Sequence, residues 1–189
     1  MKLARLAALT LFLQMTALGA AAAGGEAWVS QAAESELAFS AWYDGEELTG
    51  AFKDFDVRLL LDENRSGPAA LEVEVRVGSA DMNDREINEE LLEPEWFDGA
   101  SFPLATFSST AIRPAASGFV ANGQLRLKGL ARDLEIPLEW QRDDKRARLA
   151  GSVILSRRAW QVGTGEWASE ASLADRVEVR YEVTLVPEP

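Results

Sequence analysis

The sequence predicts an all-β protein, an antiparallel meander of about eight or nine strands interrupted by one short helix. Three observations carry this. From Gly24 onward, apolar residues recur at every second position. Turn-forming stretches of a few residues separate the alternating runs, too short for the crossovers that parallel strands need. Helical spacing occurs once, at 83–92.

The elements follow in order. Residues 1–23 read as a secretory leader. Lys2 and Arg5 form a positive n-region, Leu6 to Leu18 is apolar apart from Thr10, Gln14 and Thr16, and Ala21-Ala22-Ala23 offers a cleavage site before Gly24. The apolar run is too short to span a membrane. No Cys follows it, which argues against a lipoprotein anchor. Residues 24–189 are then expected to form one domain. Strands are expected at 35–43 and at 48–61, the latter bent near Gly50. After the turn 62–68, Leu71, Val73, Val75 and Val77 alternate with Glu72, Glu74 and Arg76. The helix at 83–92 has Ile87 and Leu91 on one face, with Asp84, Glu86 and Glu90 elsewhere, and Pro94 ends it. Three rings, Trp96, Phe97 and Phe102, crowd the link to a strand at 104–113. On that strand Ala105, Phe107, Ser109 and Ala111 share a face. Residues 119–127 form the next strand. Asn122-Gly123 follows the turn 115–118 too closely to be a hairpin, so Gly123 reads as a bulge. Leu134, Ile136, Leu138 and Trp140 alternate with Glu135, Pro137 and Glu139. Strands at 146–157 and 177–185 finish the meander; in the latter Val177, Val179, Tyr181, Val183 and Leu185 share a face.

A sheet this long packs on another sheet or closes on itself, and closure removes its edges. The inward set of a closed sheet would comprise Leu37, Phe39, Phe52, Val73, Val75, Phe107, Leu125, Leu127, Trp140, Val153, Leu155, Val179 and Tyr181. About eight strands enclose an interior that is either just filled by side chains or just wide enough for one small apolar ligand. Periodicity leaves both open.

Composition narrows the chemistry. The chain carries 19 basic and 31 acidic residues, and losing Lys2 and Arg5 with the leader leaves 17 against 31, a net charge of −14. Such a polyanion repels nucleic acid and anionic membrane surfaces. With no Cys and no His, disulfides, Ser-His-Asp and Cys-His catalysis and His-based metal sites are all out. The acids fall mostly on wet strand faces or in turns, where solvation is their expected role. Neither a catalytic residue nor a metal ligand is assigned. GTGEWA at 163–168 resembles a dinucleotide fingerprint but sits between antiparallel strands, not between a strand and a helix. The stretch 81–92 opens like a calcium loop, yet Glu86 occupies the required Gly position and Leu92 the bidentate Glu. Asn64-Arg65-Ser66 is a glycosylation sequon in a turn.

The order of several motifs resembles the YceI-like (polyisoprenoid-binding) family. They are Trp28, SELAF (35–39), GAFKDF (50–55), SADMNDREINEELL (79–92), WFDGASFPLATFSST (96–110), NGQLRLKGLARDLEIPL (122–138) and LSRRAWQVGTGEWAS (155–169). Gly165-Glu166-Trp167 is similar to the branch sometimes fused to cytochrome b561. The chain departs from the pattern at Gly129-Leu130-Ala131-Arg132-Asp133, where Gly-hydrophobic-Thr-x-Pro is usual. It also has Trp160 where Phe is common and Gln161 where Gly is common. The resemblance implies a periplasmic, lipocalin-like barrel of a Gram-negative bacterium, enclosing a long apolar tunnel. The implied function is a non-enzymatic carrier of a polyisoprenoid, an isoprenoid quinone tail or a similar amphiphile, with no cofactor beyond that ligand. The residues expected to line the tunnel are Leu37, Phe39, Phe52, Phe55, Val73, Val75, Ile87, Leu91, Phe97, Phe102, Phe107, Leu125, Trp140, Val153, Leu155, Trp160 and Tyr181. Trp96, Phe97 and Phe102 are expected to cover its helix-side end. Beyond the lipid, the candidate partners are transient contact with a membrane, a membrane cytochrome b561-type protein that receives quinone, and a second copy of the chain.

Overall fold

Alternation of apolar and polar residues builds long strands, and local breaks decide how they curve. The computed structural model describes residues 25–64, 66–169 and 172–189, so the leader expected over 1–23 lies outside the described residues. The first strand is two halves, β1 (Ala27–Ser30) and β2 (Glu36–Tyr43), separated by a 3-10 turn at Ala32–Glu34. The second is likewise split into β3 (Glu46–Phe52) and β4 (Phe55–Leu61) at Lys53-Asp54. The expected bend thus falls three residues past Gly50. Two serines suture the first break. Ser30 Oγ accepts from Val57 N at 2.9 Å, and Ser35 Oγ donates to the Gln31 carbonyl while accepting from Thr184 N. Backbone groups freed by the kink therefore keep partners.

The remaining elements are β5 (Pro68–Arg76), β6 (Ala80–Asp81), helix α1 (Arg85–Glu90), β7 (Leu104–Ala115), β8 (Gly118–Leu127), β9 (Leu130–Arg142), β10 (Ala147–Ser156) and β11 (Arg176–Pro187). All pairings are antiparallel, in the order β1-β4-β5-β7-β8-β9-β10-β11. The far end of β11 pairs with β1 (Leu185 with Ser30), and its near end pairs with β2 (Val179 with Phe39). With each split strand counted once, the described residues form a closed eight-stranded antiparallel barrel with one short α-helix. β1 was not expected from the sequence, since four residues are too few to show a period.

The expected bulge is present but on the other strand. Ser109 pairs with Gly123 and Ala111 with Asn122, so Thr110 is the extra residue on β7. A Cβ on Gly123 would lie 2.3 Å from the Ser108 carbonyl oxygen and 2.7 Å from the Phe107 ring, so glycine is what lets the bulge and that ring approach. The bulge also changes which residues face inward. Beyond it Ala111 is exposed, and Ile112 packs on the core instead.

The core occupies one end of the barrel. Trp28, Leu59, Leu61, Leu71, Leu138, Leu149, Val183 and Leu185 are almost completely buried there. Trp28 meets Trp140 edge to face, with ring centroids 6.4 Å apart.

Candidate functional site

The other end is hollow. A cavity of about 650 Å³ runs up the barrel from the buried leucines. Its walls are the inward rows of the strands: Leu37, Phe39 and Ala41 from β2, Val73 and Val75 from β5, Ala105 and Phe107 from β7, Val153 and Leu155 from β10, and Val177 and Val179 from β11. Several of these are only half-buried although they point inward, because they face a void. The opening is marked by the exposed lining residues Tyr43, Leu48, Glu86, Ile87 and Glu90. It lies between the β2–β3 hairpin, α1 and the 3-10 turn Gly165–Ala168.

Rings are arranged to line this space rather than fill it. Phe39 pairs with Gly50 across strands, Phe107 lies over Gly123, and Tyr181 crosses Gly151. At Gly50 a Cβ would come within 2.5 Å of the Phe39 ring, and at Gly151 within 2.4 Å of the Tyr181 hydroxyl. Glycine thus lets each ring lie against the wall. Above them Phe39, Phe52 and Phe97 form a ladder with centroid spacings of 5.2 and 5.9 Å. At the rim Trp167 contacts Trp96 at 5.5 Å and Tyr43 at 6.4 Å, closing the turn onto the opposite side.

Two short structures hold the rim. α1 is too short to persist alone. Asp84 caps it by accepting from Glu86 N and Ile87 N, and Asn88 ties it down by donating to Asp81 and accepting from Met82 N. The segment 157–175 is organised around Arg157, which is buried at 4% exposure. Its Nε donates to the Ala174 carbonyl, Nη1 to those of Val162 and Gly163, and Nη2 to those of Trp167 and Leu173, all at 2.7–3.0 Å. Every N–H of the guanidinium is thereby committed to backbone, and one side chain fixes five points of the loop. Tyr181 is also tucked in: its hydroxyl donates to the Pro137 carbonyl, and burial pushes its pKa well above the usual phenol value. Described carboxylates with shifted pKa values are all exposed or half-exposed and shifted down, held by donors such as Arg146 on Glu34 and Asn122 on Glu135.

Of the residues expected to face the tunnel, Leu37, Phe39, Phe52, Phe55, Val73, Val75, Ile87, Leu91, Phe97, Phe107, Leu125, Val153, Leu155, Trp160 and Tyr181 line the cavity. Two do not. Phe102 packs its ring on Gly129, in the β8–β9 turn, where the absent Cβ leaves 2.7 Å. Trp140 is one step too far along β9: Leu134, Ile136 and Leu138 line the cavity, and Trp140 lies beneath its floor beside Trp28. Of the three rings expected to cover the helix-side end, Trp96 and Phe97 therefore do so and Phe102 does not. Sequence reasoning missed Tyr43, Leu48, Trp167, Arg157 and the carboxylates Glu86 and Glu90, which the helical spacing had set apart from the Ile87–Leu91 face. The Gly165-Glu166-Trp167 motif was the available signal for Trp167. Arg157 stands in the LSRRAWQVGTGEWAS motif, but that motif gave no sign that its side chain would be buried against five backbone carbonyls.

The fold and site together define a class: a closed antiparallel barrel, solid at one end, that encloses an apolar cavity of ligand size at the other. The YceI-like domain profile matches residues 28–185, and the chain belongs to that family. Protein YceI of Salmonella arizonae and that of Salmonella newport are each 34% identical over 139 residues, spanning 69% of this chain and 73% of theirs. The crystal structure of BcnA from Burkholderia cenocepacia matches with a TM-score of 0.77 and 28% identity, over 82% of this chain and 98% of that one. A polyisoprenoid binding domain from Saccharophagus degradans shares the fold at a TM-score of 0.69 and 14% identity, over 86% and 99%.

Proposed function

We propose that the barrel is a carrier, without catalytic activity, that holds a long apolar lipid in its tunnel: a polyisoprenoid, an isoprenoid quinone tail or a similar amphiphile. One observation carries the proposal. The cavity of about 650 Å³ is walled by aliphatic and aromatic side chains, with its deep polar groups paired to the protein itself. A hydrocarbon chain placed there gains about 0.8 kcal/mol per buried methylene, so affinity needs no specific polar contact. A same-fold neighbour described as a polyisoprenoid binding domain supports the reading. The leader expected over 1–23 supports a periplasmic carrier; recovery of an exported form beginning near Gly24 would check that.

The test is organic extraction of protein purified from a membrane-containing host, followed by mass spectrometry. A long-chain lipid in the extract is expected. An empty extract, together with no uptake of quinone or polyprenol, would sink the proposal.

The resemblance of Gly165-Glu166-Trp167 to the branch sometimes fused to cytochrome b561, with Trp167 at the tunnel rim, supports a second reading, in which the barrel presents quinone to a membrane cytochrome b561-type partner. That requires quinone binding and acceleration of cytochrome-dependent quinone reduction, lost in Trp167→Ala. Unchanged rates with loaded wild-type protein would reject it.

A further inference from the structure

We infer that the tunnel discriminates among lipids by their heads: it admits hydroxyl, amide or amine heads that donate hydrogen bonds and rejects anionic ones, with Glu86 and Glu90 as the selecting residues. This deepens the carrier reading and rests on it.

A polar head cannot lie at the floor. The floor is Leu71, Leu138, Leu149 and Val183. Trp28, whose Nε1 is the buried side-chain atom without a partner among the described residues, does not line the cavity. Burying an unpaired polar group against that floor is costly. The head therefore stays at the mouth, and the question is which groups meet it.

Donors deeper in the wall are already used. Arg157 is the cation among the described lining residues, and its five N–H groups all go to backbone carbonyls. Ser156 Oγ donates to Asp175 at 2.9 Å, and Trp160 Nε1 donates to the Leu125 carbonyl at 3.2 Å. A phosphate or carboxylate head finds no spare cation in this wall.

Acceptors, by contrast, remain. Glu86 and Glu90 lie one turn apart on α1, and both line the opening. Glu90 accepts one bond from Trp96 Nε1 at 3.3 Å, and an ionised carboxylate has about four lone-pair sites. Arg85 is taken by Glu89 at 2.8 Å, and the β2–β3 hairpin tip across the opening bears Asp44 and Glu46. The cation beside that hairpin, Arg176, stacks on Trp42, 4.7 Å from the ring centroid, on the face away from the lining residues Tyr43 and Leu48. A donor head gains charge-assisted bonds, whereas an anionic head is desolvated beside like charges.

The experiment compares three ligands of one chain, geranylgeraniol, geranylgeranylamine and geranylgeranyl phosphate, by quenching of tryptophan fluorescence in the full-length exported protein. At low salt the phosphate is expected to bind about tenfold or more weakly than the alcohol, and the amine at least as tightly. The gap should narrow towards 1 M salt, where the Debye length falls to about 3 Å. In the double variant Glu86→Gln/Glu90→Gln the alcohol-to-phosphate ratio should fall towards unity; the amide introduced by Glu90→Gln retains a carbonyl for Trp96. The far-ultraviolet circular dichroism and thermal midpoint of the double variant, expected to match the wild type, separate that fall from loss of folding. Phosphate binding as tight as the alcohol in the wild type, or a ratio unchanged in the double variant, overturns the inference while leaving the carrier reading intact. Failure of all three ligands to bind, together with an empty extract and no uptake of quinone or polyprenol, overturns both.

Discussion

The two ends of this barrel share one strand pattern and differ in what it encloses. At the solid end the inward positions are Trp28, Leu59, Leu61, Leu71, Leu138, Leu149 and Leu185, and they meet in the middle. At the hollow end the same rows continue as Val73, Val75, Ala105, Ala41, Val153, Val177 and Val179, with Gly50, Gly123 and Gly151 beneath flattened rings. An eight-stranded barrel is barely wide enough to enclose a ligand, so the side-chain volume contributed at each level decides whether that level is core or cavity. Alternation alone therefore does not distinguish a filled barrel from a container.

The contrast can be broken most severely at Arg157. Arg157→Met should destabilise the protein by about 3–5 kcal/mol in chemical denaturation, since it orphans five carbonyls around a buried site. It would show that the hollow end depends on a polar clamp, where the solid end depends on packing. Leu59→Ala and Leu125→Ala should separate the two ends next. The first leaves a void in close-packed core and is expected to cost about 2–5 kcal/mol, and the second, beside an existing cavity, clearly less. Equal costs would mean the hollow closes up in solution.

The three rings of residues 96–102 sharpen the comparison further. Trp96→Ala and Phe97→Ala should weaken lipid retention about tenfold in a dilution-release assay, with a stability loss of roughly 1–2 kcal/mol for half-buried rings. Phe102→Ala, whose ring covers Gly129, should lower stability and leave retention close to wild type. Gln161 offers a smaller effect. It holds φ +56° after the 3-10 turn Arg157–Trp160, so Gln161→Gly should raise the denaturation midpoint by an amount equivalent to about 0.5–1 kcal/mol.

Acid should act mainly on the solid end. Glu34 is held down by its hydrogen bond from Arg146, Asp62 by Ser66, and Asp143 by the backbone N–H groups of Lys145 and Arg146, all in that end's turns. At the hollow end Asp81 is held down by Asn88. Each has a folded pKa below its unfolded value. Its contribution is therefore present above the ordinary carboxylate range, roughly pH 4, and is lost as pH falls through the folded pKa. Hydrogen exchange between pH 7 and 3 should show the amides of the 62–67 and 142–147 turns losing protection before those of α1. The effect should be modest, since all these groups are open to solvent.

The strand pattern, the antiparallel turns and the lone helix were legible in the sequence because each depends on neighbours within a few residues. So were most inward positions, which follow from period two once a sheet closes. Phe102 and Trp140 were misplaced for different reasons. Phe102 is decided by a glycine 27 residues away on the β8–β9 turn, and Trp140 by how far along β9 the floor happens to lie. The bulge at Thr110 moved Ile112 inward in place of Ala111, a shift that Gly123 signalled only from the partner strand. Arg157, Glu86 and Glu90 became site residues only because a loop and a helix distant in sequence meet at one opening.

The sequence by itself determined the class of fold and the apolar character of its interior, since local periodicity and short turns admit little else. Only the tertiary structure decided that one end is solid and the other hollow, and that carboxylates guard the opening. Those features depend on volumes and charges summed across eight strands at the same height, which no single stretch of chain contains.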